Sequence, residues 1–283
     1  MISNILFPVD FSAACADAAS AVSAWAARFP ARVELVHVFD SSGLIISERL
    51  DLTREIQLLH SAAEERLDSW LPEKFAGLSV TRTVLEGNPA RQIIDHAATI
   101  RADLIMMPTL GYTRFRQMLL GSVTASVLHD SSIPVWTNAH SATPMSATVP
   151  HKILCAVDCG EHTAQVLKFA TSLTATLGAS LKVIHSRRAI PETFDSGIAE
   201  RAHRFLVRSA AEDYAALTAN IPGVPPLEIL EGESLIADIQ AAVVGEHADL
   251  LIIGRGHMQG FLGRLRSNAH DIIRLAGCPV LSI

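Results

Sequence analysis

The sequence has no apolar run near the roughly 18 residues that span a bilayer, so it offers no membrane-crossing helix. Its opening, "MISNILFPVDFS", has no basic region and carries Asp10. It reads as a first strand rather than a secretory leader. There are only four cysteines, Cys15, Cys155, Cys159 and Cys278, and they fit no zinc-finger or CxxC spacing. They are expected as buried, reduced thiols of a cytoplasmic protein. Twelve histidines invite a search for metal ligands, yet no HExxH occurs. The nearest cluster is Cys155-x-x-x-Cys159 with His162; Cys155 is expected inside a sheet, so no structural metal is expected. There is no GxSxG elbow, no Gly-Lys-Ser/Thr and no GxGxxG loop after the first strand. Those absences remove the common hydrolase, NTPase and NAD-binding readings. Charge is scarce at 18% and nets to −6, which argues against nucleic acid as a partner.

What is present is a duplication. "NILFPVD" at 4–10 returns as "KILCAVD" at 152–158, and "LEGNPARQIIDHA" at 85–97 as "LEGESLIADIQAA" at 230–242. "ADLIMMP" at 102–108 returns as "ADLLIIG" at 248–254, and "SSIPVWTN" at 131–138 as "AGCPVLSI" at 276–283. The order is kept and the offset is nearly constant. One domain of about 140 residues occurs twice. The expected domains are 1–139 and 151–283, joined by a linker at 140–150 rich in Ala, Ser, Thr and Pro.

Each half alternates strand and helix. Ser12 should cap a helix whose inward stripe is Ala18, Val22, Trp25, Ala26 and Phe29. A later helix has Leu52, Ile56, Leu59, Ala63, Leu67 and Trp70 along one face. Pro89 stands where another helix begins. Alternation implies crossovers, and crossovers imply a parallel sheet covered on both sides. The apolar runs 5–9, 104–107 and 250–253 suit such buried strands. The fold class is therefore α/β: two doubly wound, Rossmann-like domains of five strands. The last strand of each half is short and apolar. Pairing through these fifth strands, in a homodimer or an intrachain pseudo-dimer, would protect such an edge. His37 and His185 stand at equivalent places on the second strands, which suggests one packing or hydrogen-bonding role in both copies.

Ligands of open parallel sheets bind beyond the carboxyl ends of the strands. Asp10 and Val38 fall there in the first half. So does the stretch "DLIMMPTLGYTRFRQMLLGSV", where Gly111 is followed by nine residues and then Gly121-Ser122. A helix opening at Gly121-Ser122 would offer bare amides and a partial positive charge to a phosphate. Asp10 could accept hydrogen bonds from a ribose or a base amine, and Val38 could pack on a purine. The plainer reading stands beside it: Asp10 and Ser12 as a turn and helix start, and Gly-Ser as a cap.

These motifs together resemble the universal stress protein family in its tandem form. The resemblance covers nearly the whole chain. It implies strand order 3-2-1-4-5 and a stress-response role. In many members it also implies ATP or another adenine nucleotide, possibly with Mg, bound through Gly-x-x-Gly, nine residues and Gly-Ser/Thr; other members lack the pattern. Carried over, the first-half site is Pro8, Asp10, Val38, Met107, Pro108, Gly111, Gly121, Ser122 and Val123. Pro108 replaces the first glycine, which removes an N–H. In the second half Asp158 and Gly254 are kept, His257 replaces the second glycine, and Ser267-Asn268 replaces Gly-Ser. Ser186 stands where Val38 stands in the first half. Arg255, His257, Arg264 and Arg266 make the second loop basic, either a phosphate contact or a solvated loop, and Ser267 or Asn268 could cap its helix. No pair of residues forms a general base aimed at a terminal phosphate, so no enzyme is expected, with weak ATP hydrolysis left open. The alternative function is a dimerisation or interaction module with both pockets degenerate and an unnamed protein partner.

Overall fold

The computed structural model describes residues 2–41, 53–109, 120–138, 149–189, 196–232, 234–255 and 264–283. The chain divides into two units, Met1–Val149 and Pro150–Ile283. In the first, the strands are β1 (Asn4–Pro8), β2 (Arg32–Phe39), β3 (Val80–Glu86), β4 (Leu104–Pro108) and β5 (Val135–Asn138). They form the order β3-β2-β1-β4-β5, parallel throughout. The helices are α1 (Ala13–Arg28), α2 (Thr53–Asp68), α3 (Pro89–Thr99) and α4 (Ser122–Asp130). The second unit repeats this with β6 (Lys152–Ala156), α5 (Thr163–Leu177), β7 (Ser180–Arg188), α6 (Ser196–Thr218) and β8 (Leu227–Gly232). It continues with α7 (Leu235–Glu246), β9 (Leu250–Ile253), α8 (Arg264–Leu275) and β10 (Val280–Ser282). Its order, β8-β7-β6-β9-β10, is again all parallel and is the same 3-2-1-4-5 arrangement.

The central strands carry the core. Ile5, Leu6 and Phe7 of β1, Leu104, Ile105 and Met106 of β4, and Leu250 to Ile253 of β9 are fully buried. Side chains of a parallel strand meet helices on both faces, so an unbroken apolar run is required there. The expected α1 stripe is buried from Ala18 to Phe29. Ser12 caps α1 by accepting the Cys15 amide at 3.2 Å, and Asn88 caps α3 one residue before Pro89.

The repeated "ADL" has a physical reason. Asp103 accepts the amides of Ser3 at 2.7 Å and Asn4 at 3.0 Å, and Asp249 accepts those of His151 and Lys152 at 2.9 Å. In each unit an aspartate entering the fourth strand thus ties down the start of the first.

Helix α2 departs from its expected stripe. Leu67 is buried, but Leu59 is 45% exposed, and Ile56, Ala63 and Trp70 are only half-buried. Leu52 lies outside the described residues. The helix packs over β2 and β3, towards the edge of the sheet. An edge position covers little apolar surface, whatever the periodicity of the helix.

Candidate functional site

Strand order reverses between β1 and β4, and both strands end on the same side. Val9 continues β1, donating its amide to the Val36 carbonyl at 2.8 Å. Its own carbonyl lies 2.7 Å from Nδ1 of His37. A carbonyl can only accept, so Nδ1 carries a proton. Burial holds the His37 imidazolium form down, outweighing the help from that carbonyl. His185 repeats the contact with the Val157 carbonyl at 2.9 Å, the shared role expected of the two histidines.

Asp10 follows, and its Oδ1 accepts the Ser12 amide at 2.9 Å and the Cys15 thiol at 3.0 Å. Burial first, then the Asp10 charge, pushes the Cys15 thiol up to about 12. The turn and the functional reading of Asp10 therefore coexist. One oxygen builds the turn, while Oδ2 has no hydrogen-bond partner among the described residues. Phe11 between them takes φ of 60°, left-handed for a bulky residue. Its ring lies 4.5 Å from that of His37, and the Arg66 guanidinium from α2 sits 4.1 Å above it. Trp70 meets it edge-on at 6.4 Å.

The loop after β4 is closed at its neck. Gly121 donates its amide to the Thr109 carbonyl at 2.9 Å. The buried Thr124 hydroxyl donates to the Pro108 carbonyl at 3.0 Å, and the Thr109 amide reaches Oδ1 of Asn138 at 3.3 Å. These bonds set the start of α4 over the end of β4. Gly121 is the N-cap and supplies no side chain; its carbonyl accepts the Ala125 amide at 2.8 Å. The amides of Ser122, Val123 and Thr124 have no partner among the described residues, as the first turn of a helix leaves them. Three bare amides and the positive end of the dipole suit an anion.

The structure thus gathers Pro8, Asp10, Met107, Pro108, Gly121, Ser122 and Val123 at the carboxyl ends of adjacent strands. Val38 is on β2, two residues past Val36, the partner of Pro8. Met107 and Pro108 are buried, and Val38 is half-buried. Gly111 lies outside the described residues.

The second unit keeps the turn, and its helix does not begin at the aligned position. Asp158 accepts the Gly160 amide at 2.9 Å and the Thr163 hydroxyl at 3.3 Å, and Cys159 takes φ of 57°. Thr163 replaces Cys15 five residues after the aspartate. Ser267-Asn268 does not cap a helix: α8 starts at Arg264, so they are its fourth and fifth residues. Position 267 holds serine where the first unit has Gly121, the glycine nearest this helix is Gly263, and Arg-Leu-Arg after it favours helix. Arg255 is not a solvated loop cation either. Burial lowers its guanidinium to about 10, and its amide donates to the Ile283 carbonyl at 2.7 Å. His257 lies outside the described residues.

Gly254 leaves room for Val166 of α5, whose Cγ2 would be 3.0 Å from a Cβ there. At the matching place, eight residues past Asp10, the first unit has Ala18. A smaller helix residue accompanies the larger Pro108. Ser186 donates to Oδ2 of Asp238 at 2.6 Å, and Asp238 in turn lies against Gly232. The place of Val38 is therefore taken by a polar pair. Sequence reasoning missed Asp238, Thr124 and Cys15. Only the recurrence of a small donor five residues after each aspartate hinted at any of them.

Among the described residues no helix is long and apolar enough to cross a membrane, and no three His, Cys, Asp or Glu side chains could hold a metal ion. The sequence profile of the universal stress protein family matches residues 1–137 and again 150–283. A universal stress protein of Methanocaldococcus jannaschii is 34% identical over 138 residues, 47% of this chain and 79% of its own. One from Thermus aquaticus is 32% identical over 136 residues, 46% of this chain and 96% of its own. The crystal structure of a universal stress protein from Archaeoglobus fulgidus covers 99% of this chain and 95% of its own, with a TM-score of 0.66 at 20% identity, a likeness of fold. Two matches in tandem, on two units of one topology, place the chain in the universal stress protein family as a two-domain member.

Proposed function

We propose that the first unit binds an adenine nucleotide, ATP or a similar one, with or without Mg, as a cytoplasmic stress-response protein. The glycine-capped start of α4 carries this reading: its amides at Ser122, Val123 and Thr124, and Oδ2 of Asp10 at the end of the adjacent strand, have no hydrogen-bond partner among the described residues. Phosphate would settle on the amides, ribose or base amine on Asp10, and the purine against Val38. Buried free thiols at Cys15, Cys155 and Cys278 suit a reducing compartment. The protein would act without catalysis, or with weak hydrolysis at most, by biasing a conformation or the docking of a protein partner. Such a bias needs different affinity in two states. Phe11 offers the lever: it adjoins Asp10 and touches Arg66 and Trp70, so a shift of the Asp10 turn would move α2 and change Trp70 fluorescence.

A second reading, an interaction module without nucleotide, draws support from Pro108 and from the altered loop of the second unit. Homodimer or intrachain pairing through the fifth strands belongs to either reading. Thermal unfolding with and without millimolar ATP and Mg separates the two. A ligand at about 100 times its Kd adds on the order of 2.7 kcal/mol. The shift should disappear in Gly121→Asp, which sets a negative charge among the amides. No shift in the wild type, with no nucleotide released on denaturation, would leave the second reading.

A further inference from the structure

Two different elements hold the same oxygen of Asp10. Its Oδ1 accepts the Ser12 amide at 2.9 Å, from the turn, and the Cys15 thiol at 3.0 Å, from the start of α1. Oδ2 has no hydrogen-bond partner among the described residues. An aspartate carboxylate turns easily about its last torsion, so one amide by itself leaves its plane loose. A second donor on that oxygen, fixed to another element, holds the plane. Cys15 is itself fixed: it is 2% exposed, and its amide donates to the Ser12 hydroxyl at 3.2 Å. The thiol has one proton and two acceptors in reach. The Pro8 carbonyl lies at 3.7 Å, farther than the carboxylate and uncharged, so the proton goes to Asp10.

A buried cysteine is by default a small apolar filler. The second unit argues otherwise. Five residues after its strand-end aspartate stands Thr163, also 2% exposed. The Thr163 hydroxyl donates to Oδ1 of Asp158 at 3.3 Å, and that same oxygen accepts the Gly160 amide at 2.9 Å. What cysteine and threonine share at this place is a proton to donate. We propose that Cys15 is a positioning residue for the nucleotide site: its thiol bond to Oδ1 fixes the Asp10 carboxylate so that Oδ2 is presented to the ligand. This rests on the nucleotide reading of the first unit and adds to it a residue that never touches the ligand. Without the donor the carboxylate pivots about the Ser12 bond. Binding must then order it, and affinity falls.

Titration calorimetry of the full chain with ATP and Mg, comparing Cys15→Thr with Cys15→Val, tests this. The two side chains have one shape and differ in the donor. The threonine variant should keep ATP affinity within about threefold of wild type, and the valine variant should lose about tenfold, as for a hydrogen bond to a charged group. In an Asp10→Asn background the ligand meets an amide nitrogen instead of Oδ2, and the two variants should differ by less than about twofold. Melting temperatures of the unliganded variants expose a purely structural thiol, which would lower stability and leave affinity alone. Where valine prevents folding, Cys15→Ala against Cys15→Ser makes the same comparison. Equal affinity with and without the donor, or a tenfold gap that persists in Asp10→Asn, would overturn the proposal and leave the nucleotide reading standing. A wild type that binds no ATP would end both.

Discussion

Gly232→Ala tests whether the second unit has closed the place that Val38 leaves open in the first. Gly232 is not among the residues with positive φ, so its backbone accepts alanine. The obstacle is a side chain: a Cβ there would lie 1.8 Å from Oδ1 of Asp238 and 2.6 Å from its Cγ. Asp238 must swing away, and its 2.6 Å bond from the Ser186 hydroxyl breaks. A hydrogen bond to a charged group contributes about 1.5–3 kcal/mol. Removing glycine from the unfolded chain returns about 0.4–1 kcal/mol. The expected net loss is about 1–2 kcal/mol. A double-mutant cycle in urea isolates the cause, with circular dichroism following both units. All three tryptophans, Trp25, Trp70 and Trp136, are in the first unit, so their fluorescence follows that unit separately. In a Ser186→Ala background the bond is already gone, and Gly232→Ala should cost no more than about 0.5 kcal/mol. Additive losses, or a Gly232→Ala protein as stable as wild type, would refute the claim that Asp238 is held in place by Ser186.

Two further outcomes follow from buried polar contacts in the first unit. Thr124→Val keeps the shape but strands the Pro108 carbonyl; it should cost about 1–2 kcal/mol and shrink the ATP-induced thermal shift, whereas Thr124→Ser should keep most of both. Unchanged melting and an unchanged shift in Thr124→Val would show that the neck bond does not position α4. For Glu34, burial pushes its carboxyl up, but His96 at 3.3 Å and the hydroxyls of Thr81 and Thr83 outweigh it, and the net direction is down. A depressed folded-state pKa gives stability that is present above the unfolded value and lost as pH falls through the folded one. Acid should therefore destabilise the wild type more than Glu34→Gln between roughly pH 5 and 3. Parallel stability profiles of the two proteins over that range would contradict the assignment.

Much of this protein was legible in its residues. The duplication, the parallel sheets, the Ser12 cap and the α1 stripe follow from spacing and side-chain type, because a centrally placed strand or helix has a neighbour on every side its pattern addresses. The places where α2 and α8 departed share a different cause. Periodicity says which face of a helix is apolar; it does not say how much sheet lies beneath it, and α2 stands near an edge. A Gly-Ser alignment says where a helix could begin, but with serine in place of that glycine α8 starts four residues earlier, at Arg264. The same limit applies to the site. The sequence placed Asp10, Gly121 and Ser122 near one another through the rule of strand ends. Only the folded chain shows that one oxygen of Asp10 is committed to a turn, that Thr124 fastens α4 to Pro108, and that Asp238 reaches Ser186 across 52 residues. Such contacts join atoms remote in the chain, and only tertiary packing fixes their distances.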